Sequence, residues 1–317
     1  MPVRFFERPY PNANAILLQG PRPVLVDPGA GHDVPALLAW LDGAAPAWIV
    51  NTHWHTDHSG ANYAMQARGI PIAASAPEAD AVNARAPDAC RARWLDQLIE
   101  PYEVARALHP GDVVETGASR WQVIALPGHT AMQIGLWCAD DRVLVAGDAL
   151  HDADLGWLDL DADPAALDQA EATVGLIDAL APRLVLSGHG PAIADPPAAI
   201  ERARRRLAAW RQKPDRIAWH ACKRIFTHGL MLEGGVARDR LLPLLLASQW
   251  LQDHAHRAFG LAPEAFAPLL LNEMLRSGAA LWQADRLLPG GDYVAVGAGW
   301  PAGPGRVADW PAVRGVV

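Results

Sequence analysis

The sequence predicts an α/β fold followed by a mostly helical C-terminal region. Three observations carry that expectation. Between Asn14 and Pro191, apolar runs of strand length alternate with segments of helical spacing. Gly, Pro and Asp clusters punctuate those runs as turns. Beyond Pro196–Pro197 the strand pattern gives way to long helical candidates, so we place a boundary there, giving units 1–197 and 198–317.

Taken in order, "NAILLQG" and "PRPVLVDPGAG" read as two strands joined by a Gly-Pro turn and closed by Asp-Pro-Gly. "DVPALLAWLDGA" has helical apolar spacing and stops at Gly43. "APAWIVNT" returns to a strand, "GANYAMQARG" reads as a helix and "IPIAAS" as a short strand. Residues 77–108 are expected to be mostly helical, a lid or side-packing segment punctuated by Pro77, Pro87 and Pro101. Strands of period-two character follow, broken at "PGHT", "ADD" and "GDA". A helix from Pro164 to Leu180 leads into "PRLVLSGHGP". In the tail, "IERARRRLAAWRQ", "DRIAWHACKRIFTHGLML", "VARDRLLPLLLASQWLQDHAHRAFG" and "PEAFAPLLLNEMLRSG" are four helical candidates, and "ALWQADRLLP" reads as a small hairpin.

Composition narrows the classes. No window of about 18 apolar residues occurs, which excludes a membrane-spanning helix. The N-terminus lacks a basic region followed by an apolar stretch, so a cytoplasmic protein is expected. Cys90, Cys138 and Cys222 are too scattered for a disulfide framework or a Cys-x-x-Cys knuckle. The formal charge of -8 divides unevenly: residues 1–198 carry 25 acidic and 11 basic side chains, residues 199–317 carry 10 and 16. The tail is a different electrostatic object from the sheet-forming part.

The chemistry concentrates at strand ends. "HWHTDHS" places His53, His55, Asp57 and His58 within six positions, just after an apolar run. Crowded imidazoles need hydrogen-bond partners or a metal, because they repel one another once protonated. The ends of later strand-like runs add His129 in "LPGHT", Asp148 in "AGDAL" and His189 in "SGHGP". Five imidazoles and two carboxylates suit Zn, Fe or Mn and exclude a thiolate site. They suffice for two divalent ions with open positions, with Asp148 placed to bridge; zinc is the first expectation.

These motifs, with "VLVDPG" before them, resemble the metallo-β-lactamase-fold hydrolase superfamily, whose pattern is His-x-His-x-Asp-His followed by a His, an Asp and a final His. The resemblance covers residues 12–195 and implies an αββα sandwich with the donors along one edge of two sheets. It implies that His53, His55 and His129 hold one metal, that Asp57, His58 and His189 hold the second, and that Asp148 bridges. It also implies attack by a hydroxide shared between the metals, with Asp57 and Asp148 as the catalytic carboxylates. Asp27, Thr130 and His151 are expected to support the donors from behind. Trp54 and Trp157 are candidate pocket walls, and His220 and His228 reach the pocket only if the tail folds back over it.

Departures from subgroup patterns narrow the activity. Asp148 and the absence of an export signal disfavour an antibiotic-hydrolysing lactamase. His55 stands where the diiron flavoprotein branch has Glu. The glyoxalase II group shares all seven donors and a helical C-terminal part, though its basic glutathione-binding pattern has no match here. The lactonase group shares the donors but uses a Tyr after the bridging Asp, and none occurs between Asp148 and Tyr293. The expected function is therefore dinuclear, metal-dependent hydrolysis of a small ester-type bond, thioester or lactone, with a homodimer contact allowed by the apolar helical stripes. The tail also resembles the winged-helix module of lactamase-like endoribonucleases, and its arginines offer phosphate contacts, so single-strand RNA cleavage is the alternative. A non-catalytic, metal-holding regulator is the third reading.

Overall fold

The computed structural model describes residues 3–160 and 162–296; the end of the expected helical unit, residues 297–317, lies outside them. Strands β1 (Val3–Phe6), β2 (Ala15–Leu18) and β3 (Val24–Val26) join antiparallel; then, after helix α1 (Val34–Leu41), comes β4 (Trp48–Val50). Helices α2 (Thr56–Ser59), α3 (Asn62–Gln66) and α4 (Ala76–Asn83) flank β5 (Ile72–Ser75), and β6 (Arg106–Leu108) closes a six-stranded sheet whose last four strands are parallel. The second sheet contains β7 (Val113–Glu115), β8 (Arg120–Ala125), β9 (Ile134–Cys138), β10 (Val143–Gly147) and, after α5 (Ala166–Leu180), β11 (Leu184–Ser187), in the order β11-β10-β9-β8-β7.

Period-two alternation explains why these strands are apolar on both sides. Ile16, Leu18, Val24 and Val26 of the first sheet face Val123, Leu136, Val143 and Val145 of the second, with Trp121 among them. Leu17, Leu25 and Ile49 point the other way, onto Leu37, Leu41, Met65 and Val82 of the flanking helices. Leu144, Ala146 and Val185 of the second sheet likewise meet Leu167, Val174 and Ile177 of α5. The result is an αββα sandwich.

Helix α6 (Pro196–Gln212) packs on α5 in that same outer layer, its Ile200, Ala203 and Leu207 inside the core. Asp195 caps it by accepting the Ala198 N–H at 3.2 Å. Helix α7 (Asp215–Glu233), β12 (Val236–Ala237), α8 (Arg238–Ala247), α9 (Gln249–Arg257), α10 (Pro263–Arg276) and the hairpin β13 (Ala280–Gln283) and β14 (Arg286–Pro289) follow. Their shared core holds Phe226, Leu251, Phe266 and Leu270, and the small sheet is ordered β12-β14-β13. The third helical candidate of the tail is two helices, α8 and α9, broken at Ser248, which has extended backbone.

Residues 77–108 depart from the helical expectation. Only α4 and one 3-10 turn at Ala89–Arg91 are helical, and Arg85, Cys90, Arg91 and Asp96 adopt positive φ. The physical reason is a divided allegiance. A helix would put Cys90 and Trp94 on one face, whereas here Cys90 enters the core outside the first sheet and Trp94 enters the core of the tail. The Trp94 indole donates to Asp253 at 2.8 Å, which fastens this segment to α9.

The arginines of α6 and α7 are largely tied to acidic groups. Arg202 pairs with Asp152, Arg204 with Asp178 and Arg206 with Asp154, each at 2.7 Å; Arg211 pairs with Asp168 and Glu171, and Arg224 with Asp154. The basic tail and the acidic sandwich thus neutralise each other where they touch.

Asp96 supplies a test of the divided segment. Its φ of 55° suits an Asp or Asn, and burial pushes its carboxyl from 3.8 up to about 6. Between those values the folded chain binds the proton more tightly than the unfolded one, so this contribution to stability is present at low pH and is lost as pH rises through 6. Asp96→Asn removes the penalty. The variant is expected to exceed the wild type at pH 8 by roughly 1–3 kcal/mol and to match it at pH 4, read from urea midpoints; equal midpoints at pH 8 would show that Asp96 is not strained by burial.

Candidate metal centre

All seven predicted donors leave the C-terminal ends of strands or the loops just beyond them. His53 and His55 follow β4, Asp57 and His58 lie in α2, His129 follows β8, Asp148 follows β10 and His189 follows β11. The structure brings them together at one edge of the sandwich, and all but the half-buried Asp57 are buried.

Neighbouring groups fix which ring nitrogen faces inward. The Thr52 hydroxyl donates to Asp27 at 2.6 Å, so its oxygen accepts from His53 Nδ1 at 3.1 Å, leaving His53 Nε2 as a lone pair. His129 Nδ1 donates to the Trp157 carbonyl at 2.6 Å, and His58 Nδ1 donates to Asp27 at 2.8 Å. The inward nitrogens then meet: His53 Nε2 is 3.1 Å from His55 Nδ1, which is 2.9 Å from His129 Nε2. His53 Nε2 and His129 Nε2 are both acceptors, and one proton on His55 Nδ1 could satisfy only one of them, so the three nitrogens fit a shared cation.

The other donors gather around the carboxylates. His189 Nε2 lies 3.2 Å from Asp57 Oδ2, and His58 Nε2 lies 3.3 Å from Asp148 Oδ1. Asp148 Oδ2 is 3.6 Å from both His129 Nε2 and His189 Nε2, so this one carboxylate reaches both groups of imidazoles. Three triplets of candidate ligand atoms lie within 4.8 Å of one another: His53, His55 and His129; His53, His58 and Asp148; and Asp57, His58 and His189. His58 Nε2 and Asp148 Oδ1 are buried and make no hydrogen bond among the described residues. Buried polar atoms are normally satisfied, so the donor set fits divalent cations.

The electrostatics point the same way. Burial, reinforced by neighbouring imidazoles, holds His53 and His55 well below the ordinary histidine value, and His129 is also lowered by burial. Burial alone would raise Asp57 and Asp148, but the imidazoles around them outweigh it and hold both well below the usual carboxylate range. Burial opposes a charge on His58, yet Asp148, Asp57 and Asp27 raise it well above the ordinary value. Ionised carboxylates facing mostly neutral imidazoles are what a cation requires.

Of the supporting residues, Asp27 accepts the Thr52 N–H and O–H and the His58 ring. His151 Nε2 is 3.2 Å from Asp148 Oδ1 and its ring meets His189 edge-on. The Thr130 hydroxyl is buried and finds no hydrogen-bond partner among the described residues. Trp157 stands on the pocket wall, stacked on His55 at 5.4 Å, whereas Trp54 is in the core outside the first sheet.

A cavity of about 580 Å³ opens in front of the donors, and the tail does fold over it: His220 and His228 both line it. Sequence reasoning missed Tyr10, which stacks on His189 at 4.6 Å, and Gln97, which lies in the segment expected to be helical. It also passed over Thr227 and Met231, which share one face of α7 with His220, Arg224 and His228. The signal was present as a largely polar stripe at helical spacing, opposite the buried Cys222, Phe226 and Leu230.

Comparison with known proteins agrees with this geometry. The family described as the metallo-beta-lactamase superfamily matches residues 10–189. A hydroxyacylglutathione hydrolase of Hyphomonas neptunium is 31% identical over 134 residues, 39% of this chain and 45% of that protein. One from Ectopseudomonas mendocina is 33% identical over 150 residues, 45% of this chain and 49% of that protein. The chain thus spans about half the length of these relatives. A metallo-beta-lactamase family protein from Thermus thermophilus superposes with a TM-score of 0.57 at 20% identity, over 90% of this chain and 98% of that one, a likeness of fold.

Gly188 tests whether the donor edge is built to this spacing. A Cβ there would stand 2.1 Å from Asp148 Oδ1 and 2.6 Å from His58 Cε1. Gly188→Ala is expected to keep the fold by circular dichroism but to weaken zinc binding by roughly tenfold or more, by analogy with lost support of ligand groups, in a chelator competition. Unchanged affinity would mean that Asp148 and His58 need not hold these positions.

Proposed function

The chain belongs to the metallo-beta-lactamase superfamily, and from that membership and its donor geometry we propose that it is a dinuclear, metal-dependent hydrolase of a small ester-type bond, with thioesters the first expectation and lactones the second. The observation that carries the proposal is the Asp148 carboxylate, one oxygen of which lies 3.6 Å from both His129 and His189, which belong to different triplets of the donor set. His53, His55 and His129 would hold one divalent ion and Asp57, His58 and His189 the other, zinc before iron or manganese. Such ions supply Lewis acidity, bringing the pKa of water toward neutrality and polarising a carbonyl.

The chain's own groups do the rest. Asp57, ionised and facing the pocket, is placed to orient the attacking water and accept its proton. His151, beside Asp148 and the cavity, is placed to donate toward the oxygen on which charge develops. Trp157 and Leu155 shield the donors from bulk water. The names of the two relatives favour a thioester. The nucleic-acid reading rests on arginines that are here held in ion pairs with Asp152, Asp154, Asp168 and Asp178, and the hydrolase reading is the one we keep.

Elemental analysis should find about two equivalents of divalent metal per chain, by the donor count of such sites, in protein that cleaves a small thioester. Asp148→Asn should lower that stoichiometry. Asp57→Asn should retain metal more fully yet lose roughly a hundredfold or more in kcat. Full turnover by Asp57→Asn would remove that residue from the chemistry, and metal-loaded protein inert toward every thioester and lactone would sink the proposal.

A further inference from the structure

Three separate pieces of chain supply most of the apolar side chains of the cavity. Leu155 and Trp157 come from the loop after β10, Leu95 from the irregular segment before β6, and Ile225 and Met231 from α7. Trp157 lies nearly flat on the His55 ring, 18° from parallel, and Trp94 is stacked behind it at 6.1 Å. The apolar wall therefore begins at the donors themselves.

Most polar side chains of the cavity are already engaged with other protein groups. Lys223 holds Glu273 at 3.3 Å, and Arg224 and His220 both hold Asp154. Gln97 accepts from the Thr56 hydroxyl and contacts His228 at 3.3 Å, and His228 also bonds the Pro11 backbone. A substrate hydroxyl placed on this wall would lose its water and either go unpaired or break one of these contacts, and both are costly. A hydrocarbon chain loses nothing and gains with each buried methylene. The Tyr10 and Thr227 hydroxyls and Asp292 are left for the polar remainder of a ligand.

We propose that the acid part of the substrate is an apolar acyl chain, seated along Trp157, Leu95, Leu155, Ile225 and Met231, in preference to a hydroxylated acyl group. The inference rests on the hydrolase reading and adds its substrate class. In the reaction, water oxygen bonds to the acyl carbon, the carbon–sulfur bond breaks, and the thiol departs with a proton from that water, giving the carboxylic acid; in a lactone the carbon–oxygen bond breaks instead, and the hydroxyl that takes the proton stays on the product.

The test pairs binding with turnover. Butanoate, hexanoate and octanoate, with counterparts hydroxylated on the terminal carbon, are titrated calorimetrically into metal-loaded protein, and matched thioesters of one thiol are assayed alongside. Affinity and kcat/KM are expected to rise roughly fourfold per methylene, with the hydroxy acids weaker at every length. Met231→Ser should reduce that increment for the longer chains. A flat or falling series, or preference for the hydroxy acids, would overturn the inference even if thioesters are cleaved. Rising affinity in protein that cleaves no ester would support the acyl seat while removing the hydrolase reading.

Discussion

The Asp27 carboxylate is the contact on which the donor edge depends. It is buried at the end of β3, in a left-handed conformation that Asp tolerates better than most residues. Its own N–H donates to Val50, its side chain takes both the N–H and the O–H of Thr52, and its second oxygen also takes the ring N–H of His58. One side chain therefore ties β3, the exit of β4 and α2 together. It orients two imidazoles, His58 directly and His53 through the Thr52 hydroxyl. An acceptor-only group suits that task, because every partner brings a proton. Without it, both rings could rotate and present a proton where a lone pair is needed.

A second tether joins the sandwich to the tail. Asp154, six residues beyond Asp148, receives Arg206, Arg224 and His220, and burial of its carboxyl is more than offset by those three, which hold it well below the usual range. The same loop carries His151 toward Asp148 and gives His129 the Trp157 carbonyl. Gly156 belongs to this economy of space, since a Cβ there would come within 2.7 Å of the His129 ring. Charge pairing with α6 and α7 thus sets the loop that forms one wall of the site. Surface ion pairs contribute little to stability, but this half-buried group has a positional role that does not depend on a large net energy.

Much of the donor set was legible because strand ends fix direction as well as position. An apolar run that must be buried on both faces leaves no freedom about where it stops, and the histidines of "HWHTDH", "GHT" and "GHG" stand just past such stops, as does the Asp148 of "GDA". The two-sheet sandwich followed from the same apolar runs together with the family resemblance. Residues 77–108 were misread because helical composition is a local signal, whereas the insertion of Cys90 and Trp94 into two different cores is a tertiary fact. Tyr10 was invisible for a related reason: nothing near "RPYPN" announces that its ring will lie on His189, 179 positions away in the chain.

The architecture separates reactivity from selectivity. Every candidate metal donor comes from residues 53–189, at positions dictated by strand ends, so changing the tail cannot easily move them. The cavity opposite is built mainly from side chains that those strands do not constrain: one face of α7, one irregular segment and the loop after β10. Most polar groups on that face, the Thr227 hydroxyl and His220 Nδ1 apart, are tied within the protein, and such a surface favours selection by shape and burial over selection by new hydrogen bonds. A surface of this kind discriminates weakly between neighbouring chain lengths, one methylene at a time, but strongly against a buried hydroxyl it cannot pair. The chemistry of the donors and the substrate they act upon are therefore separable properties of this fold, decided by different parts of the same chain.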